Sequence, residues 1–105
     1  MPLEDYLLPG EEIRFQSSND VKFGDQYYRV IVTNKRIILY AQRGLIFKRD
    51  DVVTIKLEEV QGIKYKETGI LSKTGIIEVH GKTIFALQGP ADAMKALYQQ
   101  LLQFI

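Results

Sequence analysis

Cations set beside bulky apolar side chains are the chemistry this chain offers most openly. Arg43, Lys48 and Arg49 bracket Leu45-Ile46-Phe47 within one short stretch. Such a loop suits an anionic lipid surface, with basic groups meeting headgroups while the apolar side chains enter the interface. The competing reading is that Ile46 and Phe47 pack inward or pair as strand, as large apolar side chains ordinarily do, while the charges solvate the ends. We adopt this second reading from the sequence, because Asp50-Asp51 follow at once and offset much of the positive charge. A further cation pair, Lys35-Arg36, stands at a turn. It reads as turn chemistry, since Asn34 tolerates a positive φ and the charges keep the tip wet.

Catalytic groupings are absent. The paired acids Glu11-Glu12, Asp50-Asp51 and Glu58-Glu59 are adjacent. Neighbouring residues on a strand point to opposite faces, so these carboxylates converge poorly as acid and base. His80 is the sole histidine and sits beside the Gly81-Lys82 turn, a place for a structural or solvated ring. No nucleophile elbow, phosphate loop or dinucleotide fingerprint occurs. Tyr27, Tyr28, Tyr40 and Tyr65 could stack on single-stranded nucleic acid. The +1 formal charge, from 14 Lys+Arg against 13 Asp+Glu, supplies no electrostatic funnel for it.

Bulk properties bound the rest. At 105 residues the chain is long enough for one compact domain and too short for two. The absence of cysteine excludes a disulfide scaffold and Cys-based zinc sites, and it fits an intracellular protein. No apolar run approaches the length of a membrane span, and the acidic start, MPLEDYLLPGEE, does not read as a secretory signal.

The elements that must position these residues are mostly strands. Tyr28 to Gln42, YRVIVTNKRIILYAQ, reads as a hairpin turning at Asn34-Lys35. In that register Val32 meets Ile37, Val30 meets Leu39 and Tyr28 meets Ala41, giving one wholly apolar face and so a one-sided core. The other face carries Thr33/Arg36, Ile31/Ile38 and Arg29/Tyr40, and a one-residue slip would swap the two faces. Met1 to Gly10 suggests a short helical turn over an edge or end of the core. Glu12 to Ser18 reads as a first strand, and Ser17 to Gln26 as a polar connection. Arg43 to Asp50 reads as a loop or bulged extension, and Asp51 to Leu57 and Val60 to Lys66 as further strands. Glu67 to Gly75 reads as a loop, and Ile76 to His80 and Thr83 to Gln88 as a second hairpin. The period then changes: Met94, Leu97, Tyr98, Leu101, Leu102 and Ile105 recur at helical steps after Gly89-Pro90, with Pro90 suited to the first turn.

About seven antiparallel strands followed by one amphipathic helix is an order with a precedent. The chain resembles a pleckstrin-homology-like domain of the bacterial or archaeal, GRAM-related kind. The residues that carry the resemblance are Leu8-Pro9-Gly10-Glu11, Val32-Thr33-Asn34-Lys35-Arg36-Ile37, Gly44-Leu45, Ile55-Lys56-Leu57-Glu58-Glu59-Val60, Gly75-Ile76-Ile77-Glu78-Val79 and the closing helix. The resemblance implies a mainly β barrel of two near-perpendicular sheets with a C-terminal capping helix. It makes residues 1–105 a single domain: a short N-terminal segment 1–10, strands within 12–88 and a helix over 90–104. It also implies a basic cup at the open end, onto which Lys22, Arg29, Arg43, Lys48, Arg49 and Lys82 map. The family's two basic residues, one apart, on its second strand are reduced here to Arg29, flanked by Tyr27 and Ile31.

Two functions are therefore expected. One is a non-catalytic binding or scaffolding module that offers a strand edge or loop face to a protein partner or to another copy of itself. The other is a peripheral binder of anionic lipid headgroups at the open end. Neither calls for a cofactor, a metal or catalytic residues, and no nucleic acid is expected. Both place the protein in the cytoplasm, the second at the inner membrane face.

Overall fold

The computed structural model describes residues 2–105. Its strands are β1 (Ile13–Gln16), β2 (Val21–Phe23), β3 (Gln26–Thr33), β4 (Arg36–Arg43), β5 (Arg49–Lys56), β6 (Gly62–Thr68), β7 (Thr74–His80) and β8 (Ile84–Pro90), followed by helix α1 (Ala91–Phe104). Short 3-10 turns occupy Pro2–Tyr6 and Leu57–Glu59. All pairings are antiparallel and follow the path β5-β4-β3-β2-β8-β7-β6, with β1 beside β3. The path does not close: β5 and β6 are its ends, so this is a strongly bent open sheet rather than a continuous barrel.

There are eight strands where about seven were expected, because the polar connection hides β2. Ser17 shows how the chain breaks there without losing its bonds. Its N–H donates to the Val30 carbonyl at 2.8 Å, its hydroxyl accepts from the Val30 N–H at 3.0 Å, and that hydroxyl donates to the Asn19 carbonyl at 2.8 Å. The buried side chain thus replaces a ladder bond and lets the strand bend before Val21.

The β3–β4 register matches the sequence reading, with Val30 opposite Leu39 and Val32 opposite Ile37. These side chains join Ile55, Ile77, Val79 and Leu87 in the main core. The helix closes it with Met94, Leu97 and Leu101, all buried. Gly75 and Gly89 are paired, and a Cβ on either would collide with Met94; bare backbone at both positions lets the helix seat on the sheet. Pro90 ends β8 and precedes the first helical residue, Ala91, so it lies one position earlier than expected.

The core is not one-sided. Ile31, Ile38 and Tyr40, on the second face of the hairpin, are buried under Leu3, with Leu7, Ile13 and Val52 packed around them. The N-terminal turn is therefore a cover for the outer face. We expect Leu3→Ala to cost about 2 kcal/mol in urea unfolding, the low end for a buried leucine, since a chain end relaxes more readily than a core strand. A cost within about 0.5 kcal/mol, as at an ordinary surface position, would mean that the cover contributes nothing.

Candidate functional site

Strand polarity groups the turns. Along the pairing path β2, β4 and β7 run one way and β3, β5, β6 and β8 the other. The β2–β3, β4–β5 and β7–β8 turns therefore share one strand end, and the Asn34-Lys35 tip lies at the other.

Three of the six cations of the expected cup are held by acids of the chain itself, and two of these, Arg29 and Arg43, line one shallow pocket with Asp20, Tyr27 and Tyr40. Arg29 is held by Asp20 at 3.3 Å. Arg43 is folded against the protein: its Nε lies 3.4 Å from Asp51, its Nη2 donates to the Tyr27 carbonyl at 3.2 Å, and its guanidinium stacks 5.0 Å from the centre of the Tyr28 ring. Lys82 faces Glu59 at 3.8 Å. Lys22 lies on β2 opposite Tyr27 and Gln88. Of these six, Lys22, Lys48 and Arg49 make no ion pair among the described residues.

The adjacent acids are turned to structural use. Asp50 accepts hydrogen bonds from the hydroxyls of Tyr6 at 2.7 Å and Tyr40 at 3.1 Å, and these bonds, the one from Tyr6 foremost, hold its carboxyl below the usual range. Asp51 accepts from the Tyr28 hydroxyl at 2.9 Å; burial first, and this bond second, push that phenol up.

The β4–β5 tip departs most from expectation. Leu45, Ile46 and Phe47 do not pack inward; they are 95%, 85% and 89% exposed. Three consecutive bulky apolar side chains stand in water beside Lys48 and Arg49. A second apolar tip joins β6 to β7, where Ile70 and Leu71 are 92% and 99% exposed. From the sequence, Glu67 to Gly75 reads only as a loop. Its signal was a repeat of pattern: Gly44-Leu-Ile-Phe-Lys48 and Gly69-Ile-Leu-Ser-Lys73 each set apolar residues after a glycine and a lysine four positions beyond it.

Arg36 is also corrected. It is a partly buried partner of the buried Glu11 rather than a wet tip cation, with Nε at 2.8 Å and Nη2 at 3.0 Å from the carboxylate oxygens. The Thr33 hydroxyl donates to Glu11 at 2.6 Å and accepts from the Lys35 and Arg36 N–H groups, both at 3.1 Å. That hydroxyl makes the turn, and Asn34 has no positive φ. Its side chain instead bonds Glu12 N and Gly10 O, and Lys35 Nζ donates to the Pro9 carbonyl. Burial alone would raise the Glu11 carboxyl, but the bonds from Arg36, Thr33 and the Leu8 N–H outweigh it and hold the carboxyl down at about 2.

A bent antiparallel sheet stoppered at one corner by a C-terminal helix defines a pleckstrin-homology-like fold, a class whose members are commonly binding modules. A family model described as "Bacterial PH domain" matches residues 7–99, and the chain belongs to that family. The fold is similar to the crystal structure of a pleckstrin homology domain from Shewanella amazonensis SB2B, with a TM-score of 0.68 and 14% identity over 98% of this chain and 91% of that one. No curated protein matches the sequence.

Proposed function

We propose that this chain is a non-catalytic binding module that docks on anionic lipid surfaces through the β4–β5 tip. The observation that carries the reading is the near-complete exposure of Leu45, Ile46 and Phe47 beside two unpaired cations. A narrow convex tip offers too little area for a standard protein interface, whereas a bilayer needs no complementary shape. Lys48 and Arg49 flank the apolar side chains at the height of the headgroups. Arg29 and Arg43 are spoken for by Asp20 and Asp51, so binding by a convergent phosphate clamp is not the mode we propose. Among the described residues no helix is long and apolar enough to cross a membrane.

Sedimentation with phosphatidylcholine vesicles, with and without phosphatidylserine, tests the reading. Binding should strengthen with the anionic lipid, weaken as salt rises, and fall by roughly tenfold or more in Lys48→Glu/Arg49→Glu, at about 1 kcal/mol for each cation lost. Equal binding by wild type and the charge-reversed protein would overturn it.

A second reading, contact with a protein partner or a second copy, has its own support: β5 and β6 end the pairing path with one edge each unpaired in the sheet. Light scattering that shows a discrete, concentration-stable oligomer would favour it, and a strict monomer would count against self-assembly.

A further inference from the structure

The two apolar tips share one backbone design. Gly44 and Gly69 both lie in the left-handed region, at φ 91° and 100°. At each, an added Cβ would collide with the carbonyl oxygen three residues on, that of Phe47 or of Ser72, and would pack near the Cα of the following lysine, Lys48 or Lys73. The chain therefore folds back the same way twice, and only glycine fits the pivot in either place. In both turns the two residues after the glycine are large, apolar and thrust outward: Leu45-Ile46 and Ile70-Leu71. Nothing in folding rewards this, since side chains so exposed bury almost no surface. Polar residues would serve a hairpin turn better.

We infer that the β6–β7 tip, Gly69 to Lys73, is a second lipid-inserting element. This rests on the lipid reading of the first tip and extends it to a site at the other strand end. The occupant is a lipid surface rather than a protein groove for the same reason as before: the tip is convex and only two apolar side chains wide. Its electrostatics differ. Lys73 lies 4.0 Å from Glu67, which Lys95 also approaches at 3.3 Å, so an acid partly neutralises the cations there. Lys48 and Arg49 have no such partner. Insertion of the second tip should therefore depend less on anionic lipid than that of the first.

The chain contains no tryptophan, which makes a direct test available. Phe47→Trp and Leu71→Trp each give the full chain a single tryptophan, excited apart from the six tyrosines, at a site too exposed for folding to depend on it. Phosphatidylcholine–phosphatidylserine vesicles should shift both emissions to the blue, and brominated lipid should quench both. On lowering the phosphatidylserine content, the Leu71→Trp shift should persist further than the Phe47→Trp shift. A shift at Phe47→Trp with none at Leu71→Trp overturns the inference and leaves the first tip's role standing. Silence from both emitters removes both. A blue shift of Leu71→Trp without vesicles that grows with protein concentration also overturns the inference, because a second copy then covers the tip.

Discussion

Arg36→Leu will unfold about 3–5 kcal/mol more easily than the wild type in urea, the cost of stranding a buried charge. The Glu11 side chain is fully shielded from solvent, and Arg36 supplies its paired guanidinium bonds at 2.8 and 3.0 Å. Leucine leaves that carboxylate with only the Thr33 hydroxyl and the Leu8 N–H. Arg36→Lys keeps the charge and loses the fork, so its cost should be intermediate. The pH dependence gives an independent readout. The folded-state carboxyl lies at about 2 against an ordinary 4.5, so its contribution is complete above 4.5 and is lost as pH falls from there through about 2. In Arg36→Leu the folded value rises towards or past 4.5, and stability between pH 4.5 and 2 should lose the part of its slope that Glu11 provides. A cost below about 1 kcal/mol, typical of a solvated surface pair, would show that the clasp is incidental.

Leu45→Ser/Ile46→Ser/Phe47→Ser will weaken binding to anionic vesicles by more than tenfold and leave folding untouched. Each side chain, if fully buried in a membrane, is worth about 1.5–3 kcal/mol, so losing all three removes far more than tenfold in partitioning. The same residues contribute little to the folded protein, so the unfolding free energy should change by no more than about 0.5 kcal/mol. Urea unfolding and vesicle sedimentation on one preparation separate the two effects. Undiminished binding by the triple variant would end the proposed role of this tip. A large loss of stability would mean that its side chains are packed rather than free.

The hairpin and the helix were readable because each announces itself within one stretch of chain. Alternation about Asn34-Lys35 and the spacing of Met94, Leu97 and Leu101 are local facts, and the folded chain honours both. The illegible features depend on distant segments. Ile31 and Ile38 looked like the outer face of a hairpin, and nothing nearby says that Leu3 comes to cover them. Arg36 looked like a solvated tip because its partner, Glu11, lies on another segment. The two pieces, Leu8-Pro9-Gly10-Glu11 and Thr33-Asn34-Lys35-Arg36, are in fact one clasp, joined by the Glu11–Arg36 pair and by the bonds of Asn34 and Lys35 to the first piece. β2 escaped notice because three strand residues inside SSNDVKFGDQ carry too little pattern. The tip of Leu45, Ile46 and Phe47 was misjudged for a different reason. Burial is the norm for such side chains, and a site that displays them breaks the rule that sequence reading relies on.

The three residues of β2 also govern how the molecule must assemble. They alone carry the hydrogen-bonded seam between the hairpins before Leu57 and those after Gly62, through Lys22 opposite Gln88. Each hairpin can form from near neighbours, but that seam waits until nearly the whole chain has been made and its distant ends have met. Closing so long a loop costs entropy before any contact rewards it, which sets this protein among the slower, non-local folders.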